Sequence, residues 1–264
     1  MNNKAPWHAR LARTLAIILP LFLIGAALGT KFGLWGWMSG LTAFSIGGLA
    51  IAAITALLAI VSIILVLRKG NRLGLRSAIF AAAVPAAYFA FFVPLIIGAG
   101  EHPIHDVATD TASPPAFSET VLAARAQSGA NAINDYGVPL SQIELFADVE
   151  PPVSEQTHRE IIATTYPELK PLALGETSTD AAVNAVQLAM ADMNFTNIRY
   201  NEELGTVEGL AETFWFGFKD DVVARVADGQ IDFRSVSRVG RSDIGANAER
   251  IMALREAVEA RLSE

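Results

Sequence analysis

The chain carries no aspartate or glutamate before Glu101. Up to that point its only Lys and Arg are Lys4, Arg10, Arg13, Lys31, Arg68, Lys69, Arg72 and Arg76, bunched so that long uncharged runs stand between them. Residues 101–264 hold the other 12 cations and all 27 acids, a net charge of −15. One part of such a chain must leave water and the other must stay in it. A single soluble domain and a disordered chain are both excluded. The acidic half would repel phosphate, which argues against nucleic acid as a partner. Cysteine is absent, so disulfides, thiolate metal sites and cysteine nucleophiles are excluded. The water-facing half must stand on its core alone, which about 150 residues supply.

A spanning helix needs about 20 mostly apolar residues. The uncharged runs place three spans, at about 11–30, 44–67 and 77–98. Residues 1–100 are therefore read as a transmembrane region in contact with the lipid bilayer. Gly33-Leu34-Trp35-Gly36-Trp37 falls between the first two spans, where an indole ring finds both apolar and polar neighbours. Pro20, Pro85 and Pro94 fall inside spans and predict local kinks. The basic start and the small residues Ala27 to Gly29 also allow the first span to be a cleaved signal peptide, although two further spans anchor the chain without it.

Cations stay on the cytoplasmic side. They lie before span one and between spans two and three, and an acidic segment follows span three. This predicts a cytoplasmic N-terminus and an extracytoplasmic C-terminal domain, periplasmic if the membrane is a bacterial inner membrane. No Asp, Glu, Lys, Arg or His interrupts the span interiors, which argues against a pump or transporter acting alone. Gly47, Gly48, Ala52, Ala53, Ala56 and Ala81 to Ala83 suit close helix packing, either within one bundle or against a membrane-protein partner.

Residues 101–120, with Pro103, Pro114 and Pro115, read as a linker or extended arm, and residues 121–264 as the outer domain. Thr177 to Asp180 starts a helix, with Val183, Val186 and Met190 at helical spacing. Strand-like runs follow at Phe195 to Tyr200, Thr206 to Phe216, Asp221 to Ala227 and Ile231 to Val239, with Asp228-Gly229 as a hairpin turn. Ser242 or Asp243 caps a last helix with Ile251, Leu254, Val258 and Leu262 on one face. The fold class is α+β, a two-layer domain with an antiparallel sheet and packed helices behind a three-helix membrane region.

Four ordered segments resemble the family called domain of unknown function 1499. They are Ile104 to Asp110, Tyr166 to Leu172, Phe218 to Val226 and Arg234 to Asn247. The resemblance covers about residues 101–262. It implies no reaction, cofactor or catalytic residue.

The residues themselves offer several candidates. Asp220-Asp221 are adjacent on a strand and should point to opposite faces, so they do not make a proton-sharing dyad. The competing readings are a shared ligand at a bulged strand entrance, or salt bridges to Arg225, Arg234 or Arg238. Arg234, Ser235, Ser237, Arg238, Arg241, Asp243 and Asn247 form a polar stretch that leads into the last helix, whose positive end attracts anions. That stretch is either an anion pocket or an internal lattice tying the arginines to Asp220, Asp221, Asp232 and Asp243, and the lattice is preferred. His105-Asp106 with Asp110 matches no metal-site spacing, so no metal and no cofactor is expected. Phe214-Trp215-Phe216 is an aromatic run, facing either a core or a lipid or protein partner. No catalytic constellation emerges. The preferred reading is a membrane-anchored binding or scaffold protein of a larger envelope complex. The alternative is an extracytoplasmic hydrolase acting on an envelope lipid or polymer through Asp220, Asp221 and the Arg234 to Asp243 region.

Overall fold

The computed structural model describes residues 4–69, 71–101 and 103–263, with 99–101 as backbone. The chain divides into two compact units, Met1–Ile96 with Phe214–Gly217, and Ile97–Thr213 with Phe218–Glu264.

The first unit holds α1 (Trp7–Lys31), α2 (Trp37–Lys69) and α3 (Arg72–Glu101), three helices long and apolar enough to cross a membrane. The second begins at Trp37, before the expected start near residue 44, and takes a π-helical turn at Ala43–Gly47. No proline or charge between 37 and 44 opposes that extension. Trp35 stays outside the helices and folds back, its Nε1 donating to the Ala26 carbonyl at 3.1 Å. A Cβ on Gly29 would meet that indole at 2.0 Å, so glycine makes the seat. From Gly48 onward the buried positions of α2 are Gly48, Ala52, Thr55, Ala59, Ser62 and Val66. Steps of four and three place them on one seam, against Ala9, Ala12, Ala16 and Leu19 of α1. Small side chains let the two backbones approach, which is how apolar helices associate where burial from water gives no drive. Gly48 and Ala52 thus pack inside the bundle, whereas Ala53 and Ala83 are exposed.

The second unit is built on an antiparallel sheet of β1 (Asp106–Ala108), β2 (Leu172–Ala173), β3 (Thr196–Asn201), β4 (Thr206–Glu212), β5 (Lys219–Ala227) and β6 (Gln230–Ser237). The order is β1-β6-β5-β4-β3, with β2 also paired to β6. Asp228 and Gly229 both have positive φ (52° and 74°), the backbone of a two-residue turn that matches strand twist. β4 stops at Glu212 rather than continuing to Phe216. Gly217 turns the chain with φ 65°, and Thr213 closes the loop by bonding Phe218 through both backbone and side chain. The segment expected as a linker supplies β1, in register with β6 from Asp106↔Val236 to Ala108↔Arg234.

Helices α6 (Thr179–Asp192) and α7 (Ala246–Leu262) cover one face of the sheet, where Val186, Met190, Ile251 and Leu254 meet Val222, Ala224, Ile231 and Phe233. The shorter helices are α4 (Glu119–Gln127) and α5 (His158–Thr165). Across the other face lies α4, with a small cluster of Phe117, Val121, Val223 and Val236.

Candidate functional site

The residue alternation of β5 and β6 sorts the polar stretch into two groups. On the α4 face, Asp221 accepts from two arginines. Arg125 of α4 donates at 2.7 Å, and Arg238 grips both carboxylate oxygens at 2.7 and 2.9 Å. Arg125 also reaches the carbonyls of Asn131, Val236 and Ser237. Asp106 of β1 receives Arg234 through a two-point fork, at 2.9 and 2.7 Å, and a short hydrogen bond from the Tyr136 hydroxyl. Further along, Asp232 accepts from Arg225 at 2.9 Å, and Arg225 also holds Asp110 at 3.0 Å. Glu208 takes the Ser118 amide and hydroxyl.

On the α7 face, Asp220 accepts from Arg250 at 2.6 Å. Arg250 also donates to Ser235 Oγ and Asn247 Oδ1. Asn247 Nδ2 donates to Ser237 Oγ and to the His105 carbonyl, each at 2.9 Å. Asp243 closes the N-terminal end of α7 itself, accepting from the Gly245 and Asn247 amides at 2.9 and 2.8 Å. The protein's own carboxylate therefore occupies the position an anion would take.

Burial decides what these pairs mean. Asp106, Asp221, Arg125 and Arg234 are all buried, and charges in such places persist only when paired and hydrogen-bonded. Burial alone would raise the Asp106 carboxyl, yet the Arg234 charge and hydrogen bonds hold it below the usual carboxylate range. Burial, reinforced by Asp106, pushes the Tyr136 phenol well above its ordinary value, so Tyr136 remains a donor. The Asp243 carboxyl is raised, chiefly by burial, against the pull of its two amide bonds.

Of the nine polar residues singled out in the sequence, Asp220, Ser235, Ser237 and Asn247 join on one face of the sheet. Asp221 and Arg238 pair on the other, where Arg234 binds Asp106 instead. Asp243 caps a helix, and Arg241 stands apart, paired at the surface with Asp148. Asp106 and Asp110 turn to different arginines and do not converge with His105. Among the described residues no His, Asp and Glu cluster of three could hold a metal.

Sequence reasoning missed Arg125 and Arg250. Arg125 stands four residues after Val121 on an otherwise alanine-rich helix, the spacing that sets it on the same inward face. Arg250 stands three after Asn247, on the same side of α7.

No curated protein and no solved structure matches the chain. A family model described as Protein of unknown function (DUF1499) matches residues 106–258, from the first residue of β1 to Val258 of α7. With its sheet, α6, most of α7 and the arginine–carboxylate lattice inside that match, the chain belongs to the DUF1499 family.

Proposed function

We propose that this is a membrane-anchored, non-catalytic binding or scaffold protein whose acidic domain stands outside the cytoplasm, in a bacterium on the periplasmic side, within a larger envelope complex. One observation carries the reading. The residues most suited to chemistry are already engaged with each other: Asp220 with Arg250, Asp221 with Arg125 and Arg238, and Ser235 and Ser237 with Asn247. A hydrolase needs a nucleophile beside a base and a place for the reacting atom. Here each serine hydroxyl meets an amide of asparagine rather than a base, so the hydrolase alternative loses its motivation. The same pairing fills the forks of Arg234 and Arg238, which a free anion would otherwise take. What remains is a domain without disulfides, joined along the chain to a three-helix anchor. The placement outside the cytoplasm rests on the cations at one end of the spans.

Two experiments test this. Chemical crosslinking in membranes, followed by native mass spectrometry of the detergent extract, is expected to recover a heteromeric assembly; a strictly solitary chain would overturn the scaffold reading. A reporter enzyme that folds only outside the cytoplasm, fused after Glu264, is expected to be active; activity only for a cytoplasmic reporter would overturn the placement.

A further inference from the structure

The first unit contains a pocket of about 350 Å³ between α1 and α3, lined by Arg13, Ile17, Arg76, Ser77 and Phe80. It sits at the end of the bundle where all the clustered cations gather. Gly74 fixes that end, since a Cβ there would meet Pro6 at 2.8 Å and Val66 at 2.9 Å. Asn71 ties the same corner by donating to the Lys4 carbonyl at 3.3 Å. The start of α3 is thus held against both other helices, and Arg76 of α3 and Arg13 of α1 line the same pocket.

Among the described residues no acid pairs with either arginine. The sequence has no Asp or Glu before Glu101. The contrast with the second unit is sharp, because there the arginines of the sheet are matched by carboxylates. The rest of the lining, apart from Ser77, is apolar: Ile17 and Phe80. Ile17 and Phe80 are about half exposed, whereas Ser77 is buried in the pocket wall. Two arginines near the charged ends of apolar helices, sharing a pocket with Ile17 and Phe80, fit a phosphate group that carries hydrocarbon chains.

We propose that the Arg13–Arg76 pocket binds the phosphodiester headgroup of an anionic phospholipid, with an acyl chain lying along Ile17 and Phe80. Basic pockets between transmembrane helices take such headgroups, and the attraction adds to the general pull of an anionic leaflet. The site requires only that this end of the bundle meets a leaflet, so it stands or falls separately from the proposed complex and its orientation.

The full chain, purified in detergent, is titrated with phosphatidylglycerol or phosphatidylcholine of identical acyl chains, and retained lipid is counted by native mass spectrometry. Phosphatidylglycerol is expected to be retained preferentially. R13Q/R76Q is expected to weaken that retention by about tenfold or more, as loss of two charge-assisted contacts implies. The charge-matched variant R10Q/R68Q, which leaves the pocket lining intact, is expected to retain the lipid as the unmodified chain does. Equal retention of both lipids by the unmodified chain overturns the proposal, even if R13Q/R76Q fails to fold. So does an equal loss in R10Q/R68Q, which would mean diffuse surface charge. Displacement of the lipid by millimolar inorganic phosphate would assign the pocket to the free anion instead and overturn the lipid identity.

Discussion

Asp220 and Asp221 are neighbours in sequence yet hold guanidinium groups on opposite faces of the sheet: Asp220 binds Arg250 on the α7 side, and Asp221 binds Arg125 and Arg238 on the α4 side. The strand's period of two forces this separation. It turns a carboxylate pair that could resemble an acid–base dyad into two clamps, each tying a different helix to β5.

The clamps are unequal. Asp221→Asn leaves two arginines without their shared carboxylate, one of them nearly fully buried, and removing one partner of a buried pair costs about 3–5 kcal/mol. Asp220→Asn strands only Arg250, which keeps its bonds to Ser235 and Asn247. In thermal unfolding of the full chain in detergent, Asp221→Asn is expected to lower Tm by roughly 10 °C, Asp220→Asn by less, and Arg241→Ala at the exposed Asp148 pair by nothing measurable. An equal fall for both aspartates would mean that the faces are not separately clamped.

The fork between Arg234 and Asp106 joins β6 to the first strand of the domain, across 128 positions of sequence. Arg234→Leu or Asp106→Leu alone buries an unpaired charge, and each is expected to destabilise by about 3–5 kcal/mol. The double variant removes both charges together, so its cost should fall well short of the sum. A double-mutant cycle on Tm, with the single and double variants in the same detergent, reads the coupling directly; additive losses would refute it.

These two clamps show where the sequence was legible. The meander from β3 to β6, its Asp228-Gly229 turn and the flanking helices follow from local periodicity and turn chemistry, and their ends fall within a few residues of expectation. The opposite faces of Asp220 and Asp221 follow from the same period. Of the partners, the Asp221–Arg238 pair was among those expected, and the others did not follow. Arg234 finds Asp106 rather than a nearby acid, because the arm before residue 109 inserts as β1 beside β6. A pairing that distant depends on chain topology, which no local pattern encodes. Arg125 was obscured similarly, since a lone cation on a short alanine-rich helix looks solvated until the sheet closes over it.

In the first unit the seam of small residues makes a prediction of its own. A Cβ on Gly48 would lie 2.6 Å from Leu23 Cδ2 and 3.3 Å from the Tyr88 hydroxyl. Gly48→Leu should therefore force α1 and α2 apart, whereas Ala53→Leu, on an exposed face of α2, should be tolerated. Heat-induced aggregation of the full chain in detergent compares the two. Gly48→Leu is expected to aggregate at the lower temperature; equal behaviour would mean that the close approach at Gly48 carries little of the bundle's stability.

The acid response of the second unit follows from two buried histidines. Among the described residues no group lies in hydrogen-bonding geometry to either ring nitrogen of His105 or to Nδ1 of His158, while Asn134 stands 3.4 Å from His158 Nε2. Burial lowers both imidazoles to about 4, outweighing the attraction of Asp106. Above an unfolded value of about 6.5 both states are neutral and pH has no effect through these groups. Between about 6.5 and 4 the unfolded chain takes up protons that the folded domain refuses, so stability falls as pH falls, by up to about 3 kcal/mol for each histidine. Asp106, held below the usual carboxylate range, adds its own loss only at lower pH. Tm measured from pH 7.5 to 4.5 on the full chain in detergent should fall steeply through this window. His105→Leu and His158→Leu should each flatten the slope, and the double variant should remove most of it. An unchanged slope in the double variant would show that other groups carry the acid sensitivity.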